Sequence, residues 1–160
     1  MAAKRKDKTN AIRRFDSLKI PYTEHTYGGT GAISGVEVAS VLGQDPEDVF
    51  KTLVTEGRSR EHYVFMVPVA EELDLKKAAA HVGEKSIAMV KSKELLGLTG
   101  YIHGGCSPVG MKRFFRTTVH VSAADRDTIF FSGGRIGLQI ETTLDGLAEV
   151  IPFELADIIK

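Results

Sequence analysis

The stretch VFKTLVTEGRSREHYVFMVP, residues 49–68, decides the architecture of this chain. Two apolar runs, 49–54 and 62–68, flank a polar segment that holds Gly57. Both runs are rich in β-branched and aromatic residues, the composition of strands buried on both faces. The polar segment between them reads as a reversal, so the pair is expected to form a buried antiparallel hairpin. Lys51 interrupts the first run. Its stem can snorkel to solvent at a sheet edge. Alternatively, its ammonium points into a pocket, toward a carbonyl or phosphate group. The residues themselves leave both accounts open.

Toward the N-terminus, Thr9 or Asn10 caps a helix whose apolar positions Ala11, Ile12, Phe15 and Leu18 form one stripe, and Pro21 stops it. Residues 22–27 read as a short strand. After a loop with Gly28, Gly29 and Gly31, Ser34 caps a second helix that closes near Gly43. Residues 1–8 are a basic tail, flexible and solvated, leaving 9–160 as one domain. Toward the C-terminus, residues 73–81 carry helical spacing closed by Gly83, and Ser92 caps a turn that ends near Gly97. Residues 117–122, 128–131 and 136–141 read as strands, the last two forming a second hairpin around the turn at 132–135. Residues 144–150 and 152–159 are expected to be terminal helices, with Pro152 in a first turn. The fold class is therefore α+β: a mixed, largely antiparallel sheet curled toward a barrel, with helices packed outside.

Composition narrows the function classes. The chain has 160 residues, 42% hydrophobic and 26% charged, an ordinary balance for one globular domain. Lysines plus arginines equal the acids at 21 each, so any polyanion must meet a local patch rather than an overall field. Lys112, Arg113 and Arg116 make the densest positive cluster. One cysteine, Cys106, excludes an internal disulfide framework and fits a reducing cytoplasm. The basic N-terminus lacks the apolar run of a secretory signal, and no apolar run is long enough to span a bilayer. Zinc spacing, a Walker lysine and a G-x-S-x-G elbow are all missing from the sequence.

The segment GYIHGGCSPVG, residues 100–110, has the composition of a site loop. Gly100, Gly104, Gly105 and Gly110 let main-chain N–H groups approach a ligand that a Cβ would exclude, and Pro108 stiffens Ser107 before it. An ordinary multi-turn connection has the same composition. Cys106, close to His103 in sequence, is a weak candidate nucleophile, because nearness along the chain is not catalytic geometry.

Phe50-Lys51-Thr52, the 100–110 loop, Ser132-Gly133-Gly134-Arg135-Ile136-Gly137-Leu138 and the helical LDLKKAA at 73–79 occur in an order and at separations that resemble the YbaK/EbsC family of aminoacyl-tRNA editing proteins. The resemblance covers nearly the whole chain. Many relatives carry two basic residues where this chain has Arg135-Ile136. The family implies a mixed-sheet pseudo-barrel and a free-standing deacylase that clears cysteine from mischarged Cys-tRNA(Pro), with Cys-tRNA(Cys) as a further substrate, by ester cleavage assisted by the substrate's own thiol. It implies Lys51 as the essential lysine, and a substrate pocket of Tyr27, Thr52, Gly100, Tyr101, Gly104, Gly105, Ser107, Pro108, Gly110, Ser132, Gly133 and Gly134. Lys112, Arg113, Arg116 and Arg135 are the tRNA contact candidates. No metal, organic cofactor or membrane is implied; the partners are mischarged tRNA and prolyl-tRNA synthetase, with no oligomeric state set. Two other readings remain: a water-mediated deacylase for alanyl- or other small-residue tRNA, and a non-catalytic tRNA-binding partner of the synthetase.

Overall fold

The computed structural model describes residues 8–160. The hairpin at its centre is β2 (Phe50–Gly57) with β3 (His62–Pro68), antiparallel in a register that sets Lys51 opposite Val67 and Glu56 opposite His62. β3 then pairs in parallel with β5 (Arg116–His120), and β5 in parallel with β8 (Glu154–Ala156). On the other edge of β2, β4 (Ile87–Met89) pairs only with Thr55, Glu56 and Gly57. A second sheet runs β1 (Thr23–Thr26), β7 (Leu138–Thr142), β6 (Ile129–Ser132), antiparallel throughout.

The two sheets meet at β2. An isolated parallel bridge joins Val49 to Phe130, and the Phe130 N–H donates to the Asp48 carbonyl at 2.9 Å. β6 and β4 therefore share one edge of β2, β6 touching its start and β4 its far end. This curls the strands into an α+β wrap of the kind expected, with a seam rather than a fully hydrogen-bonded closure.

Among the described residues five α-helices complete the fold: α1 (Asn10–Leu18), α2 (Gly35–Val41), α3 (Leu75–Val82), α4 (Ser92–Thr99) and α5 (Leu144–Val150). The Thr9 hydroxyl accepts from the Ile12 N–H, and α1 buries Ala11, Ile12 and Phe15 completely. That stripe lies in the largest core cluster with Phe131, Leu138, Ile140 and Leu147. Ser34 and Glu37 close a reciprocal capping box on α2. Asp74 caps α3, and left-handed Gly83 ends it.

Four expectations are corrected. Residues 152–159 hold β8 rather than a helix, because the edge of β5 is open to pairing and Ile158 is drawn wholly into the α3 core cluster. Ser92 is the first helical residue of α4 rather than its cap; Lys91 precedes it without a side-chain cap bond, and the helix runs past Gly97 to end at left-handed Gly100. The strand expected over 117–122 ends at His120, where the chain tightens into a 3₁₀ turn, Val121–Asp125. Gly137, with φ +95°, belongs to the turn, so β7 starts at Leu138 and not at Ile136. Of the tail, only Lys8 lies within the described residues; its ammonium pairs with Asp16 at 2.6 Å.

Candidate active site

Where β4 ends and β6 diverges, the shared edge of β2 is left open, and a cavity of about 510 Å³ lies there. Residues 49–54 form one wall and Phe131, Ser132, Leu138 and Gln139 of the second sheet another. α2 closes one side through Gly35, Val36 and Val38, while Met89, Val90, Ser92 and Leu95 close the far end. Tyr27, Ile33, Val69, His103, Gly104 and Cys106 also line it. Most of these groups are apolar or small.

The charged side chains of the lining are Lys51 and Glu37. Glu37 is committed to capping α2: its Oε1 accepts the Ser34 N–H at 3.0 Å, and these bonds hold its carboxyl below the usual range. Lys51 is half-buried and, among the described residues, has no ion-pair partner. Lys51 pairs opposite Val67 of β3 on one edge of β2 and borders the open gap on the other. The cavity is thus a mostly apolar enclosure in which Lys51 makes no ion pair among the described residues, although, after Lys160, its charge helps hold the Glu72 carboxyl below the usual range. Gln139, wholly inside, exchanges amide hydrogen bonds with Gln44 at 2.7 and 3.0 Å. Among the described residues no group of His, Cys, Asp and Glu could hold a metal ion.

Of the residues expected at the site, Tyr27, Lys51, Thr52, Gly104 and Ser132 meet in this lining. The remainder of the 100–110 loop frames it. Gly100 ends α4, and the buried Tyr101 hydroxyl donates to the Val109 carbonyl at 2.7 Å. Ser107 and Pro108 are buried, with the Ser107 hydroxyl accepting the Val109 N–H. Gly105 is pressed against the 135–136 backbone: a Cβ there would lie 2.9 Å from the Arg135 Cα. Its N–H, expected to approach a ligand, is already given to the Ile102 carbonyl at 3.0 Å. Gly110 packs on the start of α1. The Gly133 N–H donates to the Leu138 carbonyl and the Gly134 N–H to the Ser132 hydroxyl. These glycines weld two loops together.

Among the basic candidates, Arg116 is bound by Glu154, its Nε and Nη2 reaching Oε1 at 3.0 and 2.9 Å. Arg135 is half-buried beside the loop, whereas Lys112 and Arg113 stand exposed. Sequence reasoning missed Glu37, Val36, Met89 and Ser92 in the lining, since only tertiary structure brings α2, β4 and α4 to β2.

Comparison with known proteins matches residues 32–150 to the aminoacyl-tRNA editing domain family. The chain belongs to that family. A protein of Enterococcus faecalis, provisionally named Cys-tRNA(Pro)/Cys-tRNA(Cys) deacylase EbsC, is 38% identical over 156 residues, spanning 97% of this chain and 95% of its own. The fold is shared with a crystal structure of a hypothetical protein (TM-score 0.86, 20% identity, 94% and 99% of the two chains). It is shared too with that of a provisionally assigned trans-editing enzyme for prolyl-tRNA synthetase (TM-score 0.83, 22% identity, 94% and 97%).

Within this editing domain Cys106 also lines the cavity, but burial pushes its thiol up to about 12. At neutral pH it is therefore protonated, and the thiolate needed for attack is essentially absent. Cys106→Ala is expected to retain deacylation within about threefold, and alkylation of the folded protein by iodoacetamide should be slow at pH 8. A loss of 100-fold or more on this substitution, measured in single turnover, would restore the nucleophile reading.

Proposed function

We propose that this protein is a trans-editing aminoacyl-tRNA deacylase that clears cysteine from mischarged Cys-tRNA(Pro), with the substrate's own thiol as nucleophile. The observation that carries the reading is the cavity beside β2, a mostly apolar enclosure lined by Lys51, which makes no ion pair among the described residues. Residues 9–160 act as one editing domain. Lys51 is its essential lysine, polarising the ester carbonyl or holding the terminal ribose as a point charge. An aminoacyl ester is already activated, so positioning and charge stabilisation supply most of the acceleration. The cysteine sulfur attacks its own carbonyl carbon, forming a C–S bond and a tetrahedral oxyanion. Collapse breaks the ester C–O bond, and the proton lost by the thiol ends on the ribose oxygen. The products are a cyclic thiolactone and uncharged tRNA, which makes the enzyme formally a lyase; water then opens the thiolactone in solution.

Lys112 and Arg113 are the exposed basic residues suited to tRNA phosphates. Net neutrality makes tRNA binding weak alone, so prolyl-tRNA synthetase supplies part of the recognition, in the cytoplasm where mischarged tRNA forms. No described helix is long and apolar enough to cross a membrane.

The test is single-turnover deacylation of Cys-, Ser- and Ala-tRNA(Pro), with released product identified by mass. Cysteine should be cleared at least about 100-fold faster than serine, whose hydroxyl is a far weaker nucleophile, and should leave as the thiolactone. Equal cysteine and serine rates reject the thiol's role. Preferred release of free alanine supports hydrolysis of small residues, and binding without turnover supports a non-catalytic partner.

A further inference from the structure

We infer that the main chain of Thr52 grips the aminoacyl group, its N–H donating to the ester carbonyl oxygen and its C=O accepting the α-ammonium. The inference rests on the deacylase reading and assigns the groups that hold the substrate in it.

Strand alternation fixes the direction of these atoms. The Val54 carbonyl accepts the Val90 N–H at 3.1 Å, and the Arg58 N–H donates to the Ser86 carbonyl at 3.0 Å, both on the β4 side of β2. The Gly57 N–H donates instead to the Glu61 carbonyl, on the β3 side. Main-chain groups of successive strand residues face opposite edges, so those of Thr52 face the same edge as those of Val54. Among the described residues no strand pairs there: β4 stops at the Thr55–Met89 pair, and β6 forms its one bridge at Val49–Phe130. Thr52 lines the cavity occupying this gap, and its hydroxyl is buried with no hydrogen-bond partner among the described residues. Unpaired main-chain groups at a water-poor edge are costly, and such edges capture extended chains by supplying the missing ladder bonds.

An aminoacyl ester offers an ammonium, one tetrahedral carbon and a carbonyl in sequence, as a single strand residue does. Set against Thr52 it completes one hydrogen-bonded antiparallel pair, in which two residues exchange both bonds. The same N–H then meets the oxyanion as the carbonyl becomes tetrahedral, and that bond strengthens in the transition state. This supplies the donor that Gly105, already bonded to Ile102, does not.

The decisive variant replaces Thr52 by its α-hydroxy acid, which exchanges the N–H for oxygen and keeps the side chain. Single-turnover kcat on Cys-tRNA(Pro) should fall about 100-fold or more, with the melting midpoint little changed because no strand bond is lost. Thr52→Val, which removes only the hydroxyl, should lose less. A main-chain variant within threefold of wild type, or Thr52→Val losing as much, overturns the inference. Amide exchange of the unmodified protein provides a second readout, independent of how the variant folds. The Thr52 amide should exchange faster than its neighbours and gain at least about tenfold protection with adenosine carrying cysteine through a non-cleavable 3′-amide. Unchanged protection overturns the inference. Inactive wild type with protection still gained would sink the deacylase reading alone.

Discussion

Gly110→Ala is expected to destabilise the fold by about 2–5 kcal/mol, with a melting midpoint lower by roughly 4–20 °C. Gly110 has φ +82°, a left-handed conformation that costs a residue with a Cβ about 1–2 kcal/mol. A Cβ there would also lie 2.7 Å from the Ala11 nitrogen and the Asn10 carbonyl carbon, and 2.8 Å from the Tyr101 hydroxyl oxygen. Two of these neighbours are backbone of the first turn of α1, which cannot step aside as a flexible side chain does. Overpacking of this kind adds about 1–3 kcal/mol. Because α1 buries Ile12 and Phe15 in the main core, displacing its start loosens the whole cluster. Gly97→Ala is the control. A Cβ at Gly97 meets nothing within 4 Å and sits inside α4, so this change should stabilise by about 0.5–1 kcal/mol. Urea unfolding of the two variants measures both effects; equal midpoints would remove Gly110 from the framework.

That contrast shows what the sequence could and could not convey. The β2–β3 hairpin was legible because two strong apolar runs meet across a short reversal, and α1 because cap and stripe agree. Residues 152–159 were not legible. Eight residues carry little periodicity, and the open edge of β5, distant in sequence, decided their state. The loop glycines were seen but their work was not. Composition cannot separate a glycine that lines a cavity, such as Gly104, from one that admits a neighbouring backbone, such as Gly105 or Gly110. Lys51 and Thr52 stood out as polar residues in an apolar strand, whereas the gap they border requires knowing where β4 stops and where β6 leaves. Glu37 reads along the chain only as half of a capping box, which it also is.

Lys51→Ala is expected to reduce single-turnover deacylation of Cys-tRNA(Pro) by about 10²–10³-fold while the protein stays folded. The size follows from where the charge sits. An ammonium beside a developing oxyanion in an enclosure of mostly apolar groups acts through a low dielectric, where water would otherwise screen it. Glu37, the other charge in the lining, is tied to α2 and offers no substitute. Stability should change little, because half-buried Lys51 has no ion pair among the described residues to lose and the β2 ladder is main-chain. Lys51→Arg should recover only part of the rate, since a planar fork neither fits nor aims as a compact ammonium does. Melting curves must accompany the kinetics, so that a rate lost through unfolding is not read as chemistry. If Lys51→Ala clears cysteine as fast as wild type, the ammonium faces solvent in the working enzyme, and stabilisation of the oxyanion falls to main-chain donors such as the N–H of Thr52.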